Sequence, residues 1–88
     1  MAAAMTVTTG YPKSNVNGSF RELYYKGSIA ADADYLDVPM RTVNNVTACD
    51  DTLTAIGVAS IAVQGYGSRI TFNSGGAITG MQVRVTGH

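Results

Sequence analysis

The chain has 88 residues, six basic and six acidic side chains, a net charge of zero and 45% hydrophobic residues; it is long enough for one domain that buries roughly 60–65% of the surface its unfolded form exposes. The bases Lys13, Arg21, Lys26, Arg41, Arg69 and Arg84 are scattered and matched by acids, so no basic stripe is available to neutralise a phosphate backbone, and direct binding of nucleic acid is not expected. The one cysteine, Cys49, excludes an internal disulfide framework and a Cys-rich zinc site, which leaves oligomerisation or a partner surface to support a small core.

The opening MAAAMTVTTG carries no basic region and no apolar run of signal length, and the later apolar stretches fall far short of the ~20 residues that span a bilayer. A soluble intracellular product without membrane contact is expected. Met5, Val7 and Thr9 alternate with Thr6 and Thr8, a pattern that can pair with another strand. Residues 10–19 (GYPKSNVNGS) are rich in turn formers, with a Tyr11-Pro12 step and an Asn17-Gly18 pair. Residues 1–19 are therefore predicted to be an extended arm that orders against a partner outside the chain, and residues 20–88 a β-domain.

Within that domain, FRELYYKGSI at 20–29 suits a strand, its paired tyrosines favouring a pleated surface, although Arg21, Glu22 and Leu23 are also good helix formers. Tyr35 to Val38 alternates as a four-residue strand that Pro39 ends. In Thr42 to Ala48, two asparagines between Val43 and Val46 break strict alternation and point to a bulge. Asp50 and Asp51 make a turn that is able to cap a brief helical turn, after which Val58, Ile61 and Val63 favour strand. Gly65-Tyr66-Gly67-Ser68 and Ser74-Gly75-Gly76 read as turns on either side of an alternating Ile70 and Phe72, and Met81, Val83 and Val85 then alternate with Gln82, Arg84 and Thr86. A three-stranded antiparallel meander is predicted over residues 58–86, with Ile70, Phe72, Met81, Val83 and Val85 on one buried face.

Catalytic and metal chemistry find little to work with. The only histidine is the last residue, His88, so no Ser-His-Asp or Cys-His arrangement is supported. Cys49 has no His or Lys near it in sequence to lower its pKa and reads as a small apolar residue near a strand end. Asp32, Asp34 and Asp37 resemble half a calcium loop, but Tyr35 and Leu36 interrupt the ligand spacing and no distal Glu follows, so a solvated acidic turn is expected. The glycines at 65, 67, 75 and 76 complete no phosphate-binding pattern. Neither enzyme activity nor a cofactor is expected. Tyrosine offers a large contact area with a polar tip, which makes Tyr11, Tyr24, Tyr25 and Tyr66 candidate protein-contact residues, together with Thr6, Val7 and Thr8 for strand addition.

The MTVTTG opening, the stretches NGSFRELYYKGSIA and YLDVPMRTV, and the ending SRITFNSGGAITGMQVRVTGH together resemble small virion structural proteins of tailed bacteriophages, most closely the capsid decoration, or cement, kind. The resemblance implies an all-β fold, a small antiparallel β-barrel or sandwich with the extended N-terminal arm. It also implies a homo-oligomer, with a trimer favoured, bound to major capsid protein on the outer capsid surface of the virion after assembly in the host cytoplasm. A tail or neck structural subunit of the particle is the alternative, since such proteins share the same Thr-, Gly- and Val-rich strands.

Overall fold

The computed structural model describes residues 3–17, 20–65 and 67–88. Among the described residues the chain forms eight strands and no helix: β1 (Thr6–Val7), β2 (Lys13–Asn17), β3 (Phe20–Ile29), β4 (Tyr35–Val38), β5 (Val43–Asp50), β6 (Gly57–Gln64), β7 (Gly67–Asn73) and β8 (Ile78–Gly87). They build two antiparallel sheets. In the five-stranded sheet β8 lies between β3 and β5, and β1 and β2 share the other edge of β3; in the three-stranded sheet β7 lies between β4 and β6.

The sheets meet at both sides without closing. On one side the N-terminal segment runs along β4, where Met5 N–H donates to the Tyr35 carbonyl (2.7 Å) and Tyr35 N–H to that of Ala3 (3.1 Å). On the other, Cys49 bridges to Ala55, and Ile56 N–H donates to the Ala48 carbonyl (2.9 Å). No ladder joins β5 to β6 beyond that bridge among the described residues. The fold is thus a sandwich, and the barrel alternative is not realised.

Period-two patterning places the core. Leu23 and Tyr25 of β3 stand opposite Val85 and Val83 of β8, and these four pack with Met81 against Leu36 and Val38 of β4 and Ile70 and Phe72 of β7. All nine are at most 4% exposed. The bulge expected near Val43 is present, as a register shift between Val43 and Asn45 where β5 meets β8.

The predicted meander is corrected. β6 and β7 pair, but β8 leaves β7 and joins β3 and β5 in the opposite sheet. The residues assigned to one buried face are all buried, yet they come from two facing sheets. The physical reason lies in burial: two apolar faces cover one another when their strands lie in opposed layers, whereas in a single sheet both would need a further cover. The crossing is made at residues 74–77, where Gly75 and Gly76 adopt φ values of 75° and 157° that suit a residue without Cβ, and where Asp32 Oδ1 accepts hydrogen bonds from the Ser74 and Gly75 N–H groups (2.9 and 3.1 Å).

The arm is corrected as well. Thr6 and Val7 pair with Ser28 and Gly27 of β3, and β2 pairs with β3 from Lys13 opposite Tyr24 to Asn17 opposite Phe20. Met5 is buried in the core. The segment finds its partner within the chain because β3 has a free edge on the side away from β8, and because Gly27 lets the Thr6 carbonyl approach where any Cβ would clash. The Asn17-Gly18 and Gly65-Tyr66 turns lie partly outside the described residues.

Candidate protein-docking face

The inward set of β3 and β8 dictates the outward set. With Leu23, Tyr25, Met81, Val83 and Val85 in the core, Glu22, Tyr24 and Lys26 of β3 and Gln82, Arg84 and Thr86 of β8 point away from it. Register arranges them in rows across the sheet. Lys13, Tyr24, Arg84 and Thr47 form one row; Asn15, Glu22, Thr86 and Asn45 a second; Lys26, Gln82 and Cys49 a third, beside Thr8, whose N–H donates to the Lys26 carbonyl (2.7 Å). The result is a polar surface four strands wide with aromatic rings set into it.

Its side chains hold one another in place. The Arg84 guanidinium donates through Nε and Nη2 to Glu22 Oε2 (3.0 and 2.7 Å) and lies 5.7 Å from the centre of the Tyr24 ring. The Tyr24 hydroxyl first, and Arg84 second, hold the Glu22 carboxyl below its ordinary range, and the same contact with Glu22 pushes the Tyr24 phenol up. Beside them Lys13 of β2 and Lys26 of β3 flank the Tyr11 ring, with their ammonium groups 5.4 and 6.0 Å from its centre. Tyr11, Lys13, Tyr24 and Lys26 rim a shallow depression of about 200 Å³.

The expected contact residues are partly brought together. Tyr24 is exposed and Tyr11 half-buried on this face, and Thr6 and Thr8 are exposed at its β1 margin, whereas Val7, opposite Gly27, turns inward and packs half-buried against the core. Tyr25 is a correction: it stands opposite Val83 on the inner side and is 4% exposed, so burial pushes its phenol up and removes it from the contact set. Tyr66 lies outside the described residues. Glu22, Arg84, Lys13 and Lys26 were absent from the expected set although period two, applied outward from Leu23 and Val83, points to the first two.

The aspartates of the DADYLD stretch do not converge. Asp34 is 1% exposed, which corrects the solvated turn expected there. Its Oδ1 accepts from Ala3 N–H (2.9 Å) and its Oδ2 from Ala30 and Ala31 N–H (2.9 and 3.1 Å). Asp37 binds Arg69 (2.9 Å), whose guanidinium stacks 3.8 Å from the centre of the Tyr35 ring. His88 is exposed, and its backbone is tied to Thr42 by a reciprocal pair of hydrogen bonds.

No family model, curated protein or solved structure matches the chain. Among the described residues no helix is long and apolar enough to cross a membrane.

Proposed function

We propose that the chain is a structural particle protein that lays the outer face of β3, β8 and β5 on a larger protein surface, in the manner of a capsid cement protein on a shell of major capsid protein. The observation that carries this reading is the row of Lys13, Tyr24, Arg84 and Thr47, with Tyr11 beside it: a broad face whose rings are already oriented by cation and hydroxyl contacts. Pre-oriented tyrosine and arginine lose little freedom on docking and are the residue types that dominate protein interfaces. The depressions on this face and beside Asp51, about 160 to 260 Å³, are smaller than the ~300–1,000 Å³ of pockets that enclose small molecules. A flat protein partner suits the face better than a small ligand.

Binding of this kind stabilises the assembled state by mass action, by about 2.7 kcal/mol per site at a hundredfold excess over Kd. A tail or neck subunit is the second reading: pairing of the open β6 edge with a different edge of the next copy, a heterologous contact, would build rings or tubes. Co-sedimentation with particles tests the first. Tyr24→Ala and Tyr11→Ala are expected to weaken binding about tenfold or more, the effect of removing an interface anchor, while the thermal midpoint stays near that of the parent. Undiminished binding by both variants contradicts the assignment of this face.

A further inference from the structure

Among the described residues some strand edges are covered by other segments, while the outer edges of β1 and β2 and that of β5 before Ala48 stay open. The edge of β4 carries Ala3 to Met5, that of β3 carries β1 and β2, and β5 is covered over Ala48 to Asp50 by Thr54 to Ile56. The outer edge of β6 has no such cover among the described residues. It also lacks the features that keep an exposed edge from pairing, since its eight residues, GVASIAVQ, include no charge and no proline. Ile61 and Val63 stand opposite Ile70 and Ser68 of β7, on the inner side, yet are 45% and 59% exposed. With Leu53 in the preceding turn, at 75%, they make the β5–β6 side the site of three of the four large exposed hydrophobic residues among those described.

An open row of backbone N–H and C=O groups selects a β-strand as its occupant, and the absence of charge selects which one. Against a charged strand, β6 has no complement to offer; against itself, it opposes no like charges in a molecule of zero net charge. We propose that β6 pairs antiparallel with β6 of a second copy about a two-fold axis at Ala62, joining two three-stranded sheets into one of six strands. That register sets Ile61 against Val63 of the second copy, and Val63 against its Ile61, and keeps both on the inner side. Moving the axis to Ile61 would leave Val63 against Ala59, and a shift of one residue in pairing would turn apolar side chains to the opposite face. The symmetry is two-fold, where the resemblance in sequence implied a trimer. The edge of β6 is separate from the outer face of β3, β8 and β5, so this pairing stands or falls independently of what that face binds.

Sedimentation and cross-linking of the full chain test it. In the proposed register the two copies of residue 62 are directly opposed, with Cα atoms about 4.5–5.5 Å apart, within the range a disulfide bridges. The parent is expected to sediment as a dimer at micromolar concentration. Ala62→Lys, which opposes two ammonium groups across the axis at an exposed position, is expected to sediment as a folded monomer that still melts cooperatively, with a midpoint lowered only by the contribution of the lost pairing. Ala62→Cys is expected to form an inter-chain disulfide on mild oxidation, faster than Ser14→Cys on exposed β2 and faster than the parent with Cys49 alone; this variant decides the matter if Ala62→Lys does not fold. A monomeric or trimeric parent, or Ala62→Cys cross-linking no faster than Ser14→Cys, overturns the proposal. Particle binding lost by Tyr24→Ala but retained by Ala62→Lys separates the two interfaces.

Discussion

Asp34 joins three parts of the chain through one side chain. Its carboxylate accepts N–H groups from the N-terminal segment and from the β3–β4 connection, while its own carbonyl accepts from Phe72 N–H (3.0 Å). The hydrogen bond from Ala3 is the largest of the influences that hold its carboxyl below the ordinary value of 3.8, and those from Ala30 and Ala31 add to it. A carboxyl whose pKa is depressed on folding adds stability above its unfolded pKa and loses it as pH falls through that value towards the folded one. Thermal midpoints are therefore expected to fall as pH drops below about 4, and Asp34→Asn, which turns an amide donor towards backbone donors, should lower the midpoint at neutral pH and make the acid decline shallower. None of this was legible locally: the sequence DADYLD shows three acids, while the donor that matters most is 31 residues away. Leu53 offers a second test. It holds a left-handed φ of 64° in the turn after β5 while 75% exposed, a conformation that costs a side chain with Cβ about 1–2 kcal/mol and Asn less. Leu53→Asn is expected to raise stability by up to about 1 kcal/mol, measured by denaturant unfolding.

The strands divide into those whose two faces differ and those whose faces do not. β4 and β8 read correctly from their alternation, because Leu36 and Val38, or Met81, Val83 and Val85, meet the core while their neighbours do not. β6 looks similar in sequence, yet its residues are mostly exposed, since it lies at the edge of its sheet. One substitution on each strand exposes the difference. Val83→Asp places an unpaired carboxylate at a site 1% exposed and should unfold the protein, at a cost of several kcal/mol. Val63→Asp, at a site 59% exposed in the single chain, should cost that chain no more than about 0.5 kcal/mol, any further fall in midpoint coming with a shift from dimer to monomer in sedimentation. Equal midpoints for the two variants in thermal melts would contradict the fold. The N-terminal segment misled in the opposite direction: its turn formers at 10–19 suggested an arm, whereas Met5 is in the core and β1 and β2 complete the sheet. Deleting residues 1–8 removes a buried methionine and the cover of two strand edges, and is expected to lower stability by about 2 kcal/mol or more, where a dispensable arm would leave the melt unchanged.

At the scale of the molecule, the all-β class and most strand positions follow from local pattern, but the distribution of strands between layers does not. Whether β8 continues beside β7 or crosses to β3 depends on which apolar faces cover each other, and contacts between Leu23 and Val85, 62 residues apart, carry no local mark. The same crossing makes the docking face, for it sets Arg84 of β8 beside Glu22 and Tyr24 of β3. Strand addition at β6 and face docking at β3, β8 and β5 would then use opposite layers of one sandwich, so that a dimer presents both copies of the face. Cryo-microscopy of a particle carrying the chain tests this arrangement most directly: the expected map has Tyr11, Tyr24 and Arg84 against the particle surface with the β6 edges of two copies joined, and a map that shows the outer face of β3 and β8 turned to solvent would contradict it.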